Sequence, residues 1–190
     1  LHRLIRRQRQ MCIRDSEKAG ETIVDYLIEH GHTKIAEIGA NLELSQTARL
    51  RHNGYLNSLK KHGITPDERY YERARFSYDS AYRAMKKLLE KDIEITAVYA
   101  ISDVMAIGAL RAILDKGLRV PEDISITGFD GSTLAEYYNP KIVSIRQPHK
   151  DMAARSVELL FNMIDLHKGS CHEIIPFELT EGESCLLYTS

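Results

Sequence analysis

One periodicity constrains this chain more than any other feature. β-prone runs and amphipathic helical stretches alternate about every 30 residues, the length of a βαβ unit. KIAEIG (34–39), TAVYAI (96–101), ISITGF (124–129) and KIVSI (141–145) read as buried strands. A weaker extended run lies near 69–75, and EIIPFEL (173–179) reads as a last strand that Pro176 confines to an edge or a bulge. Between them, apolar residues recur at helical spacing over 19–31, 46–62, 79–91, from Asp103 to Gly117, and over 150–167. Gly31, Gly63 and Gly117 close three of these helices, and Asp103 is placed to cap the fourth. Alternation of this kind predicts an α/β fold with a doubly wound parallel sheet. Hydrophobic residues make up 43% of the 190 residues and charged residues 28%, enough for one well-packed core. No run of about 18 apolar residues is present, so no membrane helix is expected.

Charge is unevenly spread. The net charge is −1, yet residues 1–16 hold five of the 26 Lys and Arg and only one of the 27 Asp and Glu. That leaves 21 basic against 26 acidic residues in the body, which offers no basic footprint for nucleic acid. MCIRDS (11–16) and CLLYTS (185–190) resemble translated sequencing-adapter sequence, so residues 1–16 and 185–190 are expected to be non-native tails and about 17–184 to carry the fold. Three widely spaced cysteines give no disulfide framework and fit a reducing, cytoplasmic setting.

Catalytic motifs are missing from the sequence: no nucleophile elbow, zinc-protease helix, phosphate loop, dinucleotide glycine motif or paired CxxC occurs. No enzyme activity, cofactor or metal is therefore expected. His30 and His32 have no third ligand near in sequence, and a helix C-terminus accounts for them. More informative are the residues following the strands. Gly39-Ala40, Ser102-Asp103 and Asp130-Gly131 fall at the carboxyl ends, where open α/β sheets bind ligands. Small and acidic groups there suit a hydroxyl-bearing small molecule, or serve only as caps and turns.

SDVMAIGALRAILDKGLRVPEDISITGFDG (102–131) resembles the effector-binding core of the LacI/GalR family of bacterial transcription regulators. DYLIEHGHTKIAEIGA (25–40), SQTARLRHNGYLNSL (45–59), NPKIVSIRQP (139–148) and PFELTEGES (176–184) are similar to its flanking blocks, and GFDG with SIRQP is most like its galactose-operon branch. The resemblance implies a type I periplasmic-binding-protein-like fold, with a complete C-terminal lobe at 34–141 and a partial N-terminal lobe. The latter would comprise a remnant at 17–33, a crossover and helix at 142–172, and a closing strand at 173–184. Operator DNA would be bound only through an N-terminal domain that these residues do not include.

The same resemblance implies an effector site for a sugar-like small molecule, built from Arg51, Phe76, Ser102, Asp103, Asp130 and Gln147. Arg51 and Asp130 would be the polar anchors and Phe76 the aromatic cover. Ser102 departs from the family's usual asparagine. A homodimer face would include Ile107, Leu110, Arg111, Tyr137 and Tyr138. The stripes of the two flanking helices (Ile23 and Leu27; Val157, Leu160 and Ile164) would be left uncovered. A solute-binding protein of a sugar transporter shares this fold and is the alternative reading.

Overall fold

The computed structural model describes residues 2–165 and 175–187. Strand β1 (Ile35–Gly39) is buried at every position, which only a strand covered on both faces can be. It lies between β2 (Tyr71–Arg73) and β3 (Ala97–Ala100), and β4 (Ser125–Asp130), β5 (Val143–Arg146) and β6 (Glu178–Thr180) complete the order β2-β1-β3-β4-β5-β6. All pairs from β2 to β5 are parallel, and β6 joins β5 antiparallel. The carboxyl ends of the five parallel strands therefore share one edge of the sheet. The last strand begins at Glu178, so Pro176, expected within it, lies two residues ahead of it, and the strand occupies the edge of the sheet.

Helix α1 (His2–Glu29) precedes β1, and α2 (Gln46–Lys61) follows it. Helix α3 (Tyr78–Glu90) follows β2, α4 (Asp103–Asp115) follows β3, and a short α5 (Thr133–Tyr137) follows β4. Helix α6 (His149–Asp165) follows β5. The backbone of α1 is helical from His2, well before the expected start at 19. Gly31, Gly63 and Gly117 each follow a helix with positive φ, the conformation that costs glycine least. The expected end of α6 at 166–167, the start of the last strand at 173–174 and the side chain of Ile164 lie outside the described residues.

Two helix pairs cover the sheet. Helices α1 and α2 cross so closely that a Cβ on Gly54 would sit 2.3 Å from the Glu17 carbonyl oxygen, and one on Gly20 2.8 Å from that of Arg51. Gly108 lets α4 approach α3 in the same way, its Cβ position lying 2.2 Å from the Tyr78 carbonyl oxygen. One core results, and it includes Ile23, Val24 and Leu27 of α1 together with Ile38, Tyr99, Ile126 and Phe129 of the sheet. The α1 stripe expected to stand open is thus fully buried. The reason is geometric: the glycine crossing brings α1 down onto the sheet beside α2. Along α6, Val157 and Leu160 of the expected stripe are exposed, and so is Phe161.

Candidate functional site

Ser45 caps α2 by accepting from the Ala48 N–H, so the helix begins just beyond the carboxyl end of β1 and carries Arg51 in its second turn. Arg51 is 4% exposed. Its guanidinium donates to the Ile101 carbonyl at 2.5 Å and to Asp130 Oδ1 at 2.9 Å, and lies 3.5 Å above the centre of the Phe129 ring. Three contacts from two strands thus fix the planar group: the carbonyl just after β3, and the carboxylate and aromatic face at the end of β4. The two expected anchors meet without any ligand. Asp130 keeps 39% of its side chain exposed, so solvent reaches the pair through the carboxylate. Its backbone φ of 111° is one that L residues rarely adopt.

Gln147 is half-buried and lines a small cavity with Phe129, Pro148, Met152 and Phe177, which brings it to the ring beneath Arg51. Phe76 follows β2 on the same edge and is 49% exposed, separated from β4 by β1 and β3. Its loop is shaped by Ser77, which caps α3, and by Ser80, whose hydroxyl accepts from the Arg75 N–H.

Ser102 and Asp103 do not present themselves to a ligand as expected. Ser102 is 2% exposed and is the residue that caps α4, accepting from the Met105 N–H at 3.3 Å. Asp103, read from sequence as the cap, is instead the first helical residue and is 1% exposed. One of its oxygens accepts from the Ser132 N–H and the other from the Ser144 hydroxyl, both at 2.6 Å. Burial pushes its carboxyl above the usual range, against the pull of these hydrogen bonds.

The expected dimer residues also divide. Leu110 is fully buried and Ile107 nearly so, both within the chain's own core, because α4 turns those positions toward α3 and the sheet. Neither offers surface to a second copy. Arg111 and Tyr137 stand exposed, and Tyr138 is partly buried against the core. His32 is equally committed: its ring nitrogens face Thr96 Oγ1 and the Leu186 carbonyl.

Sequence reasoning missed two groups. Phe129 is the platform for Arg51, and its place beside Asp130 in GFDG was the sequence signal for it. Glu37 is the other: a carboxylate with no exposure in the middle of β1, 2.6 Å from His52 Nδ1. Burial raises the Glu37 carboxyl above its ordinary value, with His52 opposing. For His52, burial acts downward, but the hydrogen bond and charge of Glu37 outweigh it and raise the imidazole. Tyr71 and Tyr99 flank Glu37 in register on β2 and β3, and Tyr71 is pushed up to about 12, first by burial and then by Glu37. Charge inside a five-residue strand was the legible clue.

The family model described as "Periplasmic binding protein-like domain" matches residues 24–185. The HTH-type transcriptional regulator MalR of Clostridium butyricum is 40% identical over 171 residues, covering 90% of this chain and 51% of that protein. Among solved structures, a sugar-binding transcriptional regulator of the LacI family from Escherichia coli, complexed with phosphate, superposes with a TM-score of 0.86 at 29% identity. It covers 92% of this chain and 62% of that one. A complex of the transcriptional regulator CelR with cellobiose gives 0.83 at 33% identity, over 90% of this chain and 52% of that one. The chain spans about half the length of the curated relatives it matches.

Proposed function

The chain belongs to the periplasmic binding protein-like family, in the form found in LacI-type transcription regulators, and from that premise we propose that it is the effector-binding part of a sugar-responsive regulator. The observation that carries this is the Arg51–Asp130 pair at the carboxyl edge of the sheet. A carboxylate there accepts from paired hydroxyls, a guanidinium donates in a plane, and the half-exposed Phe76 offers a face to the C–H side of a sugar ring. Support for a sugar comes from the cellobiose-bound relative. The matches named are regulators, which weighs against the transporter reading and against an enzyme.

In this proposal the effector sits between the strand ends and a second lobe, and its binding biases a two-state equilibrium that alters operator affinity. DNA contact would come from a separate helix-turn-helix domain, and the protein would work in the cytoplasm. A homodimer would form through a face that includes Arg111, Tyr137 and the exposed part of Tyr138.

Titrating the full-length regulator that carries this segment with galactose, ribose and cellobiose by calorimetry tests the reading. One sugar is expected to bind, and Asp130→Asn is expected to weaken it at least about tenfold, ~1.4 kcal/mol, with the lobe still folded. Equal binding by the folded variant would overturn the site.

A further inference from the structure

The turn that carries Asp130 is held in an unusual way. Asp130 has φ 111° and Gly131 φ 64°. For a residue with a side chain, such backbone is strained and persists only where the surroundings enforce it. Here the enforcement is traceable. The Ser132 N–H donates to Asp103 Oδ2 at 2.6 Å. The Gly131 N–H donates to Ser144 Oγ at 3.1 Å, and that hydroxyl in turn donates to Asp103 Oδ1 at 2.6 Å. Both amides after Asp130 are therefore tied to one buried carboxylate, one directly and one through Ser144.

Room for this arrangement is built into the strand. A Cβ on Gly128 would lie 2.4 Å from Asp103 Oδ1, so only glycine admits the carboxylate at that point. A Cβ on Gly131 would lie 2.5 Å from the Arg146 Cα, which presses the turn against β5. On the far side of the turn, Asp130 Oδ1 receives the Arg51 guanidinium. The carboxylate of Asp103 faces inward to the turn, and that of Asp130 faces Arg51 and solvent.

We propose that Asp103 is a positioning residue of the effector site: with Ser144 it fixes the backbone after Asp130 and so holds the Asp130 carboxylate against Arg51. The proposal rests on the reading that Asp130 and Arg51 anchor the effector. It assigns Asp103 a role through the turn rather than by ligand contact, although it neighbours the ligand edge. Both its oxygens accept from N–H and O–H donors of the chain, and at 1% exposure the carboxylate offers a sugar hydroxyl almost no surface.

Ser132 supplies a test. Its φ of −69° and ψ of 149° suit proline, and Ser132→Pro both removes the N–H donor and sets the ring Cδ against Asp103 Oδ2, so the Ser132–Asp103 contact is broken outright. The Ser132 hydroxyl also caps α5 through the Ala135 N–H, and Ser132→Ala removes that cap while keeping the donor. Proton exchange at the Arg51 guanidinium is followed by 15N NMR in this chain, with no ligand present. In Asp103→Asn and in Ser132→Pro, that exchange is expected to speed up at least about tenfold, while the amides of β1 and β3 keep their protection and Ser132→Ala stays near wild type. Unchanged Arg51 exchange in Ser132→Pro, with β1 and β3 still protected, would overturn the proposal.

The sugar titration of the full-length regulator separates this from the site reading. Weaker sugar binding in Asp130→Asn but not in Ser132→Pro would reject the positioning role and leave the anchor intact. Faster Arg51 exchange in Ser132→Pro, with sugar binding indifferent to Asp130→Asn, would reject the anchor while the turn is still held by Asp103.

Discussion

Helices α1 and α6 look alike in sequence and end in opposite environments. Each carries an apolar stripe, and each was expected to lie uncovered. In α1, Ile23, Val24 and Leu27 have no exposure at all, while in α6 Val157 is 53%, Leu160 46% and Phe161 60% exposed. The stripes do not explain the difference; the crossing does. Gly20 and Gly54 let α1 and α2 touch backbone to backbone, and that contact sets α1 down on the sheet. Among the described residues of α6, Met152 reaches the small cavity beside Phe129, while Val157, Leu160 and Phe161 stay open. An apolar stripe announces that a helix has a partner, but small residues elsewhere decide which one it meets.

Leu27→Ala should lower the stability of this chain by about 2–5 kcal/mol in urea unfolding, since it empties a fully buried site. Gly54→Ala should cost about 1–3 kcal/mol, because its Cβ would collide with the Glu17 carbonyl and lift α1 from α2. Leu160→Ala, on the open face of α6, should change stability by no more than about 0.5 kcal/mol. A large loss at Leu160 would mean that α6 is covered in solution.

A pH dependence sharpens the view of the α1–α2 face, where Glu37 and His52 meet beneath α2. Glu37 faces His52 and Tyr55 from α2, Tyr71 from β2 and Tyr99 from β3, with Arg51 and Asp130 beyond Tyr99. Both Glu37 and His52 are raised in the fold, from ordinary values of 4.5 and 6.5. A raised group contributes stability that is fully present below its unfolded value and lost as pH climbs through the folded one. The pair should therefore weaken the fold as pH rises from mildly acidic to beyond neutral, when the buried carboxylate loses its shared proton. Thermal unfolding of Glu37→Gln across about pH 5 to 8 should show a flatter slope than wild type. An unchanged slope would show that other groups carry the dependence.

Much of this molecule was legible in its sequence because its strands are short, buried and regularly spaced. β1, β3 and β4 lie within a residue of their expected spans, and glycines mark the helix ends. Arg51 and Asp130 were legible as a pair through the family resemblance, and their places on α2 after β1 and at the end of β4 put both at one edge of the sheet. Other features required three dimensions. Ser102 rather than Asp103 caps α4, because the extended backbone one residue earlier turns the serine oxygen to the free amides. Asp103 could then turn its carboxylate to the Asp130 turn, a partner 29 residues away in sequence that no local pattern encodes. Leu110 was placed on a dimer face by the family resemblance, and only the packing of α4 shows that it belongs to the chain's own core.

Arg51 and Asp130 should act as one unit toward a sugar. A double-mutant cycle in the full-length regulator measures that directly, using Arg51→Lys, Asp130→Asn and both together, titrated with galactose, ribose and cellobiose. Lysine cannot reach both Ile101 and Asp130 while lying flat on Phe129, so it should fail as the asparagine does. Each single change should weaken binding at least about tenfold, and the double should be no more than about threefold worse than the weaker single. Losses that multiply to about a hundredfold, the mark of two independent residues, would contradict it.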